Sequence, residues 1–166
     1  MGRCPSNQIE TLITMVQVIK PTLEHAKQLA NNLRQIDILE LKATNPDRTP
    51  EKVLTMSYHA SVKSYAIVEE GECLGMFGVV PVTNTIGVPW LLSTDKFFEQ
   101  HSTKFARQCR AYLQEMAEGF GYLTNYIAAD NKKCQHWLKW LGFTIYEEYP
   151  VDFNGTPFYM FDMRIK

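Results

Sequence analysis

From Val16 onward the apolar and polar positions fall into blocks of two different periods. Val16–Lys20 reads as a short strand that stops at Pro21. Thr22 is placed to cap a helix in which Leu23, Ala26, Leu29, Ala30 and Leu33 share one face. Ile36, Ile38, Leu39 and Leu41 carry helical structure on to Asn45-Pro46. Thr49-Pro50-Glu51 starts another helix, with Pro50 at its first position, running to about Ala60. The period then shortens. Ser64–Glu69 and Cys73–Val82 read as strands joined at Glu70-Gly71, and Gly87–Thr94 as a third, mostly apolar strand.

Ser102 or Thr103 starts a long helix with Phe105, Cys109, Tyr112, Leu113 and Met116 inward, ended by Gly119 or Gly121. Tyr122–Ala129 returns to a strand. Asp130 or Asn131 caps a helix whose Cys134, Trp137, Leu138 and Leu141 follow the i, i+3, i+4, i+7 stripe, and Gly142 suits its left-handed end. Thr144–Tyr149 and Phe158–Ile165 read as strands, with Asn154-Gly155 between them favouring a type I′ turn. Strands mixed with helices in this order predict one layered α/β (α+β) structure. Residues 1–14 hold Gly2, Pro5, Ser6 and Asn7 without a sustained period. They are read as an arm, disordered or partly vector-derived, ahead of a single domain over residues 15–166.

Composition narrows the class. The 166 residues are 45% hydrophobic and 21% charged, enough to bury roughly 70% of the unfolded surface. That excludes a disulfide miniprotein, a disordered tail and a collagen-like chain, and no apolar run approaches the ~20 residues of a spanning helix. The net charge of −1 argues against a nucleic-acid binder. Cys4, Cys73, Cys109 and Cys134 form no CxxC pair, so no metal site is expected, and three of them fit a reduced core and a reducing compartment. No basic n-region followed by an apolar h-region marks a signal peptide.

One segment has a specific spacing: Ala129-Asp130-Asn131 followed by Trp137-Leu138-Lys139-Trp140-Leu141-Gly142-Phe143. With the element order from Val16 onward, it resembles the GNAT (Gcn5-related N-acetyltransferase) superfamily, which carries an Asn, an apolar helix and a Leu-Gly-Phe leading into a strand. The resemblance implies a central, mostly antiparallel sheet of about six or seven strands with helices on both faces. Further segments, Pro89–Asp95, Leu123–Ile127, Leu138–Gly142 and Glu147-Glu148-Tyr149, resemble the internal virion protein A family of short-tailed phages. Those small GNAT-like proteins are associated with assembly of the phage's internal core. That likeness implies phage structural or assembly proteins as partners, and a place in the host cytoplasm or the virion. A homo-oligomer is compatible with it.

The GNAT resemblance also implies a cradle for the pyrophosphate of acetyl-CoA, an Arg/Gln-x-x-Gly-x-Gly/Ala loop between the fourth strand and the long helix. Small residues there let backbone N–H groups reach the phosphates. The corresponding Asp95–Thr103 has no glycine, and holds Phe97, Phe98, Asp95 and Glu99. If the cofactor binds, Ser102, Thr103 and Lys104 would hold its pyrophosphate and Asn131 would support its pantetheine arm. A general-acid tyrosine is implied four residues before Gly142, where Leu138 stands, and a basic glutamate on the fourth strand, where none exists. Asp95, Tyr126 and Tyr146 are the substitutes for acid–base work. Capping or solvation is the alternative role for Asp95, and packing for the two tyrosines.

His25, His59, His101 and His136 lack metal-ligand spacing, and His101 and His136 are read as surface residues. Trp137 is read as core, and Trp140 as the exposed aromatic where a partner would sit. Two functions remain. One is a non-catalytic GNAT-like scaffold or internal virion component that needs no cofactor. The other is an acetyltransferase moving acetyl from acetyl-CoA to an amine, including a protein lysine.

Overall fold

The computed structural model describes residues 16–166, so the arm expected over residues 1–14 lies outside the described residues. Seven strands form one sheet: β1 (Val16–Ile19), β2 (Lys63–Glu69), β3 (Glu72–Pro81), β4 (Ile86–Ser93), β5 (Tyr122–Ala128), β6 (Thr144–Phe153) and β7 (Thr156–Arg164). Their order is β1-β2-β3-β4-β5-β7-β6, antiparallel throughout except for β4–β5. Helices α1 (Leu23–Ala30), α2 (Gln35–Thr44) and α3 (Pro50–Ala60) cover one face. Helices α4 (Asp95–Gln100), α5 (Ser102–Ala117) and α6 (Lys132–Leu141) cover the other. This is the mixed, mostly antiparallel sheet with helices on both faces that the GNAT resemblance implies.

Two-sided cover explains why β2 and β3 are nearly continuous apolar runs rather than alternating ones. Ala66, Val68 and Met76 pack on Ala26, Leu29 and Leu54. Ile67, Phe77 and Val79 pack on Phe105, Cys109 and Leu113. A register shift between Ile67 and Val68 leaves Leu74 unpaired and puts it on the same face as Phe77. Each large side chain buried here contributes about 1.5–3 kcal/mol. An exposed pair such as Lys27–Glu24 contributes about 0–1 kcal/mol, so the two cores set the stability.

The local signals act as the sequence predicts. Thr22 caps α1 in a reciprocal capping box with His25. Thr49 accepts from the Lys52 N–H, and Asn131 accepts from the Cys134 N–H. Gly142 closes α6 at φ 107°. Asn154 and Gly155 have φ of 52° and 87°, which a two-residue I′ hairpin turn requires.

Three expectations are corrected. Leu23, placed on the inward face of α1, is 42% exposed, because the helix ends at Ala30 and its buried stripe runs through Ala26 and Leu29. Asp95–Gln100, read as part of a loop, is helical: Thr94 Oγ1 accepts from the Phe97 N–H, and Phe97 anchors the turn at 0% exposure. His101, read as a surface residue, is half-buried with its Nε2 3.3 Å from Glu69 Oε1.

The parallel pair β4–β5 is short. Only Ile86–Tyr122 and Gly87–Leu123 are in register, and the strands then part. Gly87 sits where they touch. A Cβ there would lie 2.7 Å from Val79 Cγ2, 3.0 Å from Leu123 Cδ2 and 3.2 Å from Phe120 Cδ2. Val79 and Leu123 are fully buried and have nowhere to go. Gly87→Ala is therefore expected to cost about 1–3 kcal/mol through overpacking. Urea unfolding checks this as a lower midpoint at unchanged m, and an unchanged midpoint would refute the close packing.

Candidate functional site

Where β4 and β5 part, the sheet opens a wedge toward their C-terminal ends. In sheets with parallel strands, such crevices are where ligands bind. The reason is physical: parted strands leave N–H and C=O groups without ladder partners, and a ligand can satisfy them. The wedge here is a cavity of about 540 Å³, walled by Trp90 and Leu92 from β4, Tyr126 and Ile127 from β5, and Phe153 and Phe158 beyond.

Helix α2 lies across this opening and supplies two carboxylates one turn apart. Asp37 Oδ2 accepts from the Ser93 N–H at the end of β4, at 3.1 Å. Glu40 Oε1 accepts from the Ala128 N–H at the end of β5, at 3.0 Å, and from Asn131 Nδ2 at 2.9 Å. Deeper in, Asn125 Nδ2 on β5 donates to the Pro89 carbonyl on β4, at 2.7 Å. The parted strands are thus bridged by the protein's own side chains.

Arg34 completes the bridge from the turn before α2. Its N–H donates to the Ser93 carbonyl at 3.0 Å. Its guanidinium holds Asp37 through two bonds of 2.8 and 3.2 Å, donates to Cys134 Sγ at 3.3 Å, and stacks 3.9 Å from the centre of the Phe98 ring. Arg34 is 5% exposed and Asp37 1%. Burial pushes the Asp37 carboxyl above its ordinary value, and Arg34 offsets this only in part. Burial likewise raises Glu40, against the pull of Asn131 and the Ala128 N–H. The Cys134 thiol is pushed up to about 11 by burial, which keeps it an inert core group.

A second cavity, about 870 Å³, lies outside the wedge between α5 and α6. Ser102 and Thr103 from the first turn of α5 line it with Arg107, Lys132, Lys133 and His136, over the rings of Phe98, Trp137 and Trp140. Trp137 lines both cavities and forms the wall between them. Phe98 packs edge-on to it, and the Arg34 guanidinium lies against the Phe98 ring.

The candidate residues fall in different places. Of the acid–base candidates only Tyr126 lines the wedge, 40% exposed and edge-on to Phe153. Asp95 is exposed at the start of α4, beside Glu99 in a shallower cavity. Tyr146 is on β6, where its hydroxyl donates to Asp162 at 3.0 Å and is held protonated by that carboxylate. Of the cofactor candidates, Ser102 and Thr103 line the outer groove, Lys104 is exposed on the same turn, and Asn131 lines the wedge. Leu138 lines the wedge as well. Among the described residues no three His, Cys, Asp or Glu side chains converge to hold a metal ion, and no helix is long and apolar enough to cross a membrane.

Sequence reading missed Arg34, Asp37 and Glu40. A signal was present: Arg34, Asp37 and Leu41 are spaced as one helical stripe, so two charges share the face of an apolar residue.

Comparison with known proteins places the fold. YncA from Salmonella typhimurium, solved with its cofactor acetyl-CoA, superposes with a TM-score of 0.68 at 13% identity, over 92% of this chain and 95% of its own. The ribosomal-protein-S18-alanine N-acetyltransferase from Escherichia coli gives 0.64 at 12%, over 92% and 95%. RimL, a ribosomal L7/L12 α-N-protein acetyltransferase solved in complex with coenzyme A, gives 0.64 at 14%, over 92% and 95%. The chain therefore has the GNAT fold. Residues 83–150 match the family model described as "Bacteriophage T7, probable scaffold protein Gp13". No curated protein sequence matches the chain.

Asp37→Ala leaves Arg34 buried without its carboxylate and Ser93 without an acceptor. It is expected to cost about 3–5 kcal/mol, and Arg34→Met with Asp37→Leu to recover much of that loss. Denaturant melts of the two variants check both signs. A single variant as stable as the wild type would show that the bridge does not hold the wedge.

Proposed function

We propose that this chain is a non-catalytic scaffold built on an acetyltransferase fold, acting in the assembly of a phage particle through contacts with phage structural proteins, in the host cytoplasm or the virion. The observation that carries the reading is the occupation of the wedge: Asp37 and Glu40 take the N–H groups of Ser93 and Ala128 that a ligand between β4 and β5 would need. The segment that should cradle phosphates also supports it. Residues 95–100 are a helix anchored by Phe97, with Phe98 against Arg34 and Trp137. These residues do not fit the pyrophosphate of acetyl-CoA. The match of residues 83–150 to a phage scaffold family supplies the kind of partner.

The second reading, an acetyltransferase acting on an amine, draws on Glu40 and the outer groove. Burial raises the Glu40 carboxyl above its ordinary value, and Glu40 lines the same cavity as Tyr126, where a carboxylate base would stand. Ser102, Arg107, Lys132 and Lys133 are the polar and cationic groups a phosphate would meet.

Calorimetric titration with acetyl-CoA and with CoA separates the two. The scaffold reading expects no heat, and no rise in Tm with millimolar cofactor. A ligand at 100 times its Kd would add about 2.7 kcal/mol of stability, so a micromolar binder would be plain. Micromolar binding that is lost in Ser102→Glu would overturn the scaffold reading, and acetyl transfer lost in Glu40→Gln would establish the alternative.

A further inference from the structure

The net charge of −1 hides a segregation of charge on the surface. The groove between α5 and α6 is lined by Arg107, Lys132, Lys133 and His136 and by no carboxylate. Asp95, Glu99 and Asp130 line the neighbouring cavity, which shares Lys132 and Lys133 with the groove. The groove's floor is aromatic, with Phe98, Trp137 and Trp140, the last 42% exposed.

The edge strand β6 carries the opposite character. Its pairing with β7 jumps from Tyr146–Met160 to Val151–Phe158, so the four residues Glu147–Pro150 stand opposite Tyr159 alone. The excess forms a bulge, and all four residues are exposed. Tyr149 is 73% exposed, the largest value among the exposed large apolar and aromatic side chains of the described residues. Glu148 sits beside it. Glu147 is held at the root of the bulge by Lys139, at 2.9 Å.

We propose that the Glu148–Tyr149 bulge of one copy docks in the Arg107–Lys132–Lys133 groove of a second copy, so that the chain self-associates head to tail. The chemistry is complementary: Glu148 meets the lysines, and the Tyr149 ring enters an aromatic floor rimmed by cations, which favours both stacking and cation–π contact. The groove volume of about 870 Å³ is ample for one aromatic side chain and its flanking backbone. No β6 residue lines the groove of its own chain, and at the groove's end Lys132 stands 5.8 Å from the centre of the Tyr159 ring, which lies opposite the bulge. Bulge and groove are built from different residues, and they adjoin at Lys132 and Glu147. Such a contact is heterologous, and it grows into a ring or a filament instead of closing as a two-fold dimer. The proposal rests on the scaffold reading in one respect: the groove must be free of nucleotide.

The test is sedimentation velocity over a range of concentrations, on the wild type and two exposed-surface double variants. One lacks the bulge chemistry (Glu148→Gln with Tyr149→Ala) and one the groove chemistry (Lys132→Gln with Lys133→Gln). Unchanged circular dichroism and Tm show that both variants fold. Wild type is expected to gain mass with concentration at low salt and to return to monomer in about 1 M salt, where the Debye length is about 3 Å. Each variant alone should stay monomeric, and an equimolar mixture should give a heterodimer that grows no further, because one intact groove meets one intact bulge. A wild type that stays monomeric at low salt and binds no CoA overturns this proposal alone. A monomer that binds CoA in a manner dependent on Lys132 and Lys133 gives the groove to a small polyanion, and overturns the scaffold reading with it. Association that survives in either double variant, or a mixture that stays monomeric, also overturns the proposal.

Discussion

The structure turns on two hydrogen bonds from one helical turn. Asp37 and Glu40 reach from α2 to the N–H groups that close β4 and β5. A parallel pair that parts after two registered residues exposes backbone donors in an apolar crevice, and an unpaired donor there costs about 1–3 kcal/mol. Something must satisfy those groups. In this chain the answer is internal, and much else follows from it. Arg34 is buried to neutralise Asp37, and Phe98 and Cys134 are positioned to receive Arg34.

That arrangement changes what the fold is suited to. A catalytic cleft keeps polar groups poised and incompletely satisfied until substrate arrives. Here the buried charges are paired before any ligand comes, and the phosphate-facing segment is a helix whose Phe97 belongs to the core. Sharing an architecture with acetyltransferases thus leaves the chemistry open, because function resides in the site and the fold only carries it. Glu40, raised by burial, lines the wedge with Tyr126, and its Oε1 is already engaged by the Ala128 N–H and by Asn131.

The fold was largely legible in the residue pattern because its signals are local. Thr22, Thr49 and Asn131 cap helices by their own side chains, and Asn154-Gly155 sets a hairpin by backbone preference. The apolar stripes of α5 and α6 needed only a helical period to be read. Asp95–Gln100 was missed because a six-residue helix has less than two turns over which a period can show. Its stability comes from Thr94 and from the burial of Phe97, which is tertiary. The site was less legible for a related reason. Arg34, Asp37 and Glu40 act on Ser93, Ala128 and Cys134, which are 56 to 100 residues away. Only the presence of charges on an apolar stripe betrays such contacts in a sequence. Tyr146 and Tyr126 look alike in sequence, yet one lies on the outer strand against Asp162 and the other in the wedge.

The distribution of satisfied and unsatisfied groups gives the last step. The N–H groups of Ser93 and Ala128 are taken up inside by α2, while the exterior carries a cationic, aromatic groove and an acidic, aromatic bulge. Exposed aromatics beside charged groups invite association. They are useful where association is the work. The neutrality of the whole chain then acquires a meaning that composition alone could not supply. Opposite charges on adjoining patches of a nearly neutral chain leave little net repulsion between copies, and they favour some orientations over others when copies meet.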